Sequence, residues 1–95
     1  MSPREEVAAE DELFRALLSL QDLAECRAFL QDLCTPAELQ ALKDRWAVAE
    51  CLAEGLSYRQ VHDRTGVSLT TISRVARFLT SGAGGYQKAL ERLKK

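Results

Sequence analysis

An all-α domain built from short helices is what the 95-residue sequence predicts, and three observations predict it. Apolar residues recur at spacings of three and four, which places them on one stripe of a helix. Helix starts and stops punctuate those stripes: Thr35-Pro36-Ala37-Glu38 and Ser57-Tyr58-Arg59-Gln60 are capping boxes, and Gly55 and Gly66 stand where helices end. No segment alternates in the β manner, none repeats, and no linker is long enough to divide the chain into two domains.

The elements follow in order. Residues 1–9 are expected to be flexible, and a first helix runs from Glu10 to Leu20, with Leu13, Phe14, Leu17 and Leu18 on one stripe. Gln21-Asp22 interrupt it, and Asp22 caps a second helix that carries Phe29, Leu30 and Leu33. Cys34-Thr35-Pro36 stops that helix and starts a third, because proline suits the first helical position. Leu39, Leu42, Trp46, Ala49, Leu52 and Leu56 give the third helix a continuous apolar face from about Pro36 to Glu54.

The segment after Gly55 carries the most information. The box at Ser57 launches a helix of about two turns that ends at Thr65-Gly66, and Ser68 then caps the run LTTISRVARFL. A short helix, a tight turn with glycine and a second helix form the helix-turn-helix pattern, here over residues 57–79. Val61 faces inward from the first helix, Val67 plugs the turn, and Ile72 with Val75 anchors the second. Gly66 sits where the backbone needs a positive φ.

Chemistry on the second helix points to nucleic acid. Ser68, Thr70, Thr71 and Ser73 crowd its N-terminus, followed by Arg74 and Arg77. Hydroxyls and arginines bond phosphates and base edges, and a helix N-terminus adds its own amides. Such hydroxyl-bearing residues are otherwise indifferent helix formers; capping a surface helix is their ordinary alternative role. Arg59, on the preceding helix, lies over the DNA backbone or reaches the groove edge in this reading, whereas Arg64 is as readily solvated. The overall net charge of −1 conceals the distribution: residues 1–56 carry twelve acidic and five basic side chains, residues 57–95 two and eight. One region is built to meet a polyanion and the other is not. Counting Lys94 and Lys95 as a solvated tail leaves the second region positive.

Other function classes find little support. His62 has no carboxylate or nucleophile at a motif spacing, and an exposed position suits a phosphate contact or plain solvation better than catalysis. Gly82-Ala83-Gly84-Gly85 follows a helix rather than a strand and lacks a P-loop lysine. Cys26, Cys34 and Cys51 are odd in number, without a C-x-x-C pair, and each reads as a reduced, buried thiol on a helix. No disulfide, metal site, cofactor or catalytic residue is therefore expected. No run is apolar enough to span a bilayer, and the first residues lack signal-peptide character, so a cytoplasmic protein without membrane attachment is expected.

From Leu13 to Tyr86 the chain resembles the YerC/YecD branch of the Trp repressor superfamily. The resemblance is carried by LFRALLSL, DLCTPAELQALKDRWAVAECLAEGLSY, TGVSLTTISRVARFL and the following GAGGY, with the RW-x-VA and TISRV strings its most specific parts. It implies a six-helix subunit in a Trp-repressor-like intertwined homodimer, with residues 10–56 and a last helix over 86–93 as dimerisation helices and two helix-turn-helix heads on double-stranded DNA. A chain of this size has a thin core, which independently favours a second copy. The implied function is that of a sequence-specific transcription regulator, most simply a repressor on an inverted-repeat operator and associated with the nucleoid when bound. A dimeric protein-interaction adaptor that keeps the shape is the alternative. Tryptophan-sensing relatives hold their corepressor between two arginines, which Arg45 and Arg74 match, with Thr35 at a polar contact. The pocket floor departs from the pattern, since Val75 and Phe78 replace a glycine and a serine and should fill the indole slot. Tryptophan is thus not the expected effector, and Arg45 is expected to pair instead with an acidic side chain of its own subunit or of its partner.

Overall fold

The computed structural model describes residues 1–94, which form six helices and no strand: α1 (Pro3–Leu18), α2 (Leu23–Leu33), α3 (Pro36–Ala53), α4 (Tyr58–Thr65), α5 (Leu69–Ser81) and α6 (Gly85–Leu93). Lys95, counted with the basic tail, lies outside the described residues. The chain divides into two compact units, Met1–Leu39 and the remainder from Gln40.

In the first unit, α1 begins seven residues earlier than the expected Glu10, so residues 3–9 are helical rather than irregular. The local chemistry explains the difference. Ser2 Oγ accepts the Glu5 amide at 3.3 Å, Pro3 occupies the first helical position, and Glu5 and Glu6 lie in the first turn. Asp22 caps α2 as expected, its Oδ1 accepting the Glu25 amide at 2.8 Å, and the Glu25 carboxylate accepts the Gln21 amide at 3.1 Å. At the start of α3 the Thr35 box closes both ways: Thr35 Oγ1 accepts the Glu38 amide (3.1 Å) and Glu38 Oε1 accepts the Thr35 amide (2.8 Å). The Thr35 amide donating to the carboxylate, followed in effect by the Thr35 hydroxyl, favours the charged form and holds the Glu38 carboxyl below its ordinary value of 4.5. No residue of α1 or α2 is buried; Phe14, Leu18 and Leu23 stand 50 %, 84 % and 73 % exposed. Two expectations about thiols need correction here. Cys26 and Cys34 are only half-buried, and Cys34 is the extended residue that ends α2 rather than part of a helix.

The second unit holds the core: Val48, Ala49, Cys51, Val61, Val67, Ile72 and Val75. Full burial of each aliphatic side chain contributes roughly 1.5–3 kcal/mol. The inward face of α3 differs from the expected stripe. Val48 and Cys51, beside Ala49, enter the core, while Trp46, Leu52 and Leu56 pack at its margin and Leu42 remains exposed. The reason is that α3 is apolar on two adjoining stripes, and periodicity cannot choose between them. Trp46 stacks on Tyr86 of α6, with ring centroids 6.4 Å apart and planes 18° from parallel. Gln87 of α6 donates to the Leu79 carbonyl near the end of α5. Gly55 terminates the third helix region with φ +89°, and among the described residues no helix is long and apolar enough to cross a membrane.

Candidate nucleic-acid interface

The helix-turn-helix of residues 57–79 is built from local chemistry outward. Ser57 Oγ accepts the Gln60 amide (3.2 Å) and Gln60 Oε1 accepts the Ser57 amide (2.8 Å), so α4 starts on a complete capping box. Gly66 ends α4 at φ +74°, donating its amide to the His62 carbonyl at 2.8 Å. Ser68 then caps α5, accepting the Thr71 amide at 3.2 Å. Val61, Val67, Ile72 and Val75 all lie in the core, in the roles assigned to them from sequence.

Burial of Ile72 and Val75 turns the opposite side of α5 to solvent. Thr70, Ser73, Arg74 and Arg77 are all exposed. Their spacing of i, i+3, i+4 and i+7 makes them one stripe, beginning on the first turn of the helix. Arg59 is exposed on α4. Asp63 is the one acidic residue between positions 57 and 90, so the surface around the stripe carries little opposing charge. Ser68 and Thr71 differ from the stripe residues. The Ser68 hydroxyl donates to Thr71 Oγ1 at 3.1 Å while accepting the Thr71 amide, and Thr71 is half-buried. Ser68 is therefore fully engaged as a cap, whereas Thr71 keeps one hydroxyl proton to donate outward.

The arginines divide similarly. Arg74 lies with its guanidinium 5.2 Å over the Phe78 ring of its own helix, a cation–π contact that leaves its donors at the edge of the stripe. Arg64 pairs with Glu54 at 3.2 Å while both side chains remain 59 % exposed. That is the one ion pair among the described residues, so Arg45 lacks the acidic partner expected for it within the described chain. Thr35, the polar member of the corepressor-like set, is occupied in capping α3. Val75 sits 1 % exposed in the core, so its added volume fills the interior rather than a surface slot; Phe78, 42 % exposed, is the member left at the surface. A shallow depression of about 370 Å³ lies beside it, walled by Trp46, Phe78, Ala83, Gly85 and Tyr86.

His62 departs from the exposed position expected of it. It is half-buried, and its Nδ1 lies 2.7 Å from the Val67 carbonyl, across the turn. A carbonyl oxygen only accepts, so Nδ1 carries the proton. Thr65 works on the same turn, its hydroxyl donating to the Val61 carbonyl (2.7 Å) and accepting the Val67 amide (3.1 Å). Nothing in residue spacing signals the histidine contact, because it depends on how the left-handed glycine folds Val67 back toward α4.

Comparison with known proteins agrees with this architecture. The Trp repressor protein family matches residues 8–94. The chain is 48% identical over 85 residues to the protein YerC of Bacillus subtilis (strain 168), an alignment covering 90% of this chain and 82% of YerC. Its fold is similar to the crystal structure of a TrpR-like protein from Eubacterium eligens ATCC 27750, with TM-score 0.86, 44% identity, and coverage of 90% of this chain and 89% of that one. A candidate Trp repressor from Staphylococcus aureus is similar with TM-score 0.87 and 40% identity over 98% of this chain and 95% of the other. Six helices with a capped helix-turn-helix, matched in sequence nearly end to end, place the chain in the Trp repressor family.

Proposed function

We propose that this protein is a sequence-specific, DNA-binding transcription regulator that acts in the cytoplasm as a homodimer on an inverted-repeat site. The observation that carries the reading is the exposed stripe Thr70, Ser73, Arg74 and Arg77 on α5, set behind a capped turn and opposite a fully packed inner face. Thr70 on the first turn is suited to base edges, with Thr71 contributing its free hydroxyl proton, and Arg59 and Arg77 are suited to phosphate. Arg74 stands between these roles. The bare apolar side chains of α1 and α2 support a second copy as partner, since two identical subunits can cover each other's exposed faces. Tryptophan is not the expected effector, because Thr35 is engaged as a cap and the bulky Phe78 lies next to Arg74.

Selection of bound fragments from genomic DNA, followed by affinity measurements across a salt series, tests this. The expected site has two half-sites about one helical turn, roughly 34 Å, apart. Thr70→Ala should cost about 1–3 kcal/mol at one base position per half-site, and Thr71→Ala a similar loss if its hydroxyl reads a base. Arg59→Ala or Arg77→Ala should weaken binding to all sequences and flatten the salt dependence. A protein-interaction adaptor would select no fragment and show no steep salt slope, and that outcome would overturn the proposal. Calorimetry with L-tryptophan should give no saturable isotherm; a saturable one would return Arg45 and Arg74 to sensing roles.

A further inference from the structure

We propose that His62 is a positioning residue for the DNA-reading helix: through Nδ1–H it grips the Val67 carbonyl and so sets the angle at which α5 leaves the turn. The inference rests on reading α5 as the DNA reader, and adds a residue outside the exposed stripe to its machinery.

Val67 lies between α4 and α5, so neither its amide nor its carbonyl belongs to a helix ladder. Its side chain is only 7 % exposed, which places these backbone groups beside the core, where unpaired polar atoms are costly. Two α4 side chains satisfy them. Thr65 Oγ1 takes the amide at 3.1 Å and His62 Nδ1–H donates to the carbonyl at 2.7 Å. The Thr65 hydroxyl is tied in turn to the Val61 carbonyl, at a fully buried residue of the core. Val67 is thus held at both polar ends by the helix that precedes it.

The carbonyl bond matters for the reader because the next peptide unit is shared with Ser68. Orienting the Val67 carbonyl orients the Ser68 amide plane, and Ser68 is the cap whose oxygens receive the Thr71 and Ile72 amides. Gly66, at φ +74°, has no side chain to stiffen the turn, and a Cβ there would meet nothing within 4 Å. Rigidity must come from neighbouring side chains, and His62 is the one that reaches the carbonyl. Neutral and protonated imidazole both keep the Nδ1 proton in this arrangement, so the grip does not depend on the ring's charge.

Side-chain geometry provides the test. Asparagine places its amide nitrogen where histidine places Nδ1, while glutamine places it about one bond further, near Nε2. His62→Asn should therefore retain the donor, and His62→Gln and His62→Ala should lose it. Three measurements are made on the full chain. In nitrogen-15 spectra of the neutral ring, Nδ1 should be protonated and Nε2 free. Amide exchange at Val67 and Thr71, without DNA, should quicken in His62→Gln and His62→Ala and return close to wild type in His62→Asn. Affinity for the selected DNA fragment should fall about fivefold to tenfold in the first two variants, the size of one lost buried hydrogen bond, with recovery in His62→Asn. An Nε2–H tautomer, or equal exchange in the Asn and Gln variants, would overturn the role of His62. So would fast exchange with undiminished affinity. Failure of the wild-type protein to bind DNA, with the tautomer and exchange pattern intact, would instead overturn the reading of α5.

Discussion

Residues 1–39 and the remainder of the chain obey the same local rules and reach opposite ends. Both use side-chain caps to start helices, Ser2, Asp22 and Thr35 in the first and Ser57 and Ser68 in the second, although α6 starts at Gly84 without one. Yet every buried residue lies in the second, while α1 and α2 leave Phe14, Leu17, Leu18, Leu23 and Leu33 in the open. Capping decides where a helix begins; it does not supply anything for the apolar stripe to rest on. The second region closes on itself because its short helices turn back through Gly66 and α6 returns to Trp46. In the first region, α1 and α2 leave apolar area in the open, which the proposed homodimer would cover.

The comparison breaks most visibly in the core. Ile72→Ala removes a fully buried side chain and should lower stability by about 2–5 kcal/mol, read from denaturant unfolding at several protein concentrations. Because that loss lies inside one subunit, it should appear as a reduced free energy at every concentration. Phe14→Asp is the counterpart in the first region. Burying a side chain of this kind contributes roughly 1.5–3 kcal/mol per subunit, so the variant should shift sedimentation from dimer toward monomer and make the unfolding midpoint fall more at low concentration. A wild-type protein that sediments as a folded monomer at micromolar concentration would show that the open faces of α1 and α2 need no second copy.

Smaller effects sharpen the contrast by testing the caps the two regions share. Ser57→Ala removes one half of the α4 box and should cost about 1 kcal/mol, seen as a lower melting temperature. Glu38 tests the corresponding box at α3 through pH. Its folded carboxyl titrates below the ordinary 4.5, so its stabilising contribution is fully present above that value and fades as the pH falls through the lower folded value. Acid titration of unfolding in Glu38→Gln should lack that part of the pH dependence; a curve superimposable on wild type would show that the box contributes nothing measurable. Breaking the exposed Arg64–Glu54 pair with Glu54→Gln should change stability least, by about 0–1 kcal/mol.

Much of the arrangement was legible beforehand because it rests on short-range chemistry. Thr35-x-x-Glu38 and Ser57-x-x-Gln60 closed as written, and Gly66 adopted the left-handed turn. The start of α1 departed from the expected Glu10: Ser2-Pro3-x-Glu5 carries a cap signal, but Val7-Ala8-Ala9 offers no apolar stripe to suggest that it launches a helix. Candidate site residues separated once neighbours were known. Thr70, Ser73, Arg74 and Arg77 proved to be one exposed stripe, while Ser68, also exposed, is engaged as the cap of α5 and Thr71 is half-buried. His62, expected at the surface, is instead the partner of the Val67 carbonyl.

What the amino-acid order determined by itself was the set of helices, their caps, the glycine turn and the crowding of basic and hydroxyl residues after position 57. Each depends on groups within four residues of one another, where backbone geometry leaves few choices. Only the tertiary structure decided which of two apolar stripes on α3 faces the core, where the bulk of Val75 goes, and that His62 meets the Val67 carbonyl across the turn. Those outcomes depend on residues brought together across turns. Packing selects one alternative by burial and hydrogen-bond satisfaction, quantities that no local pattern contains.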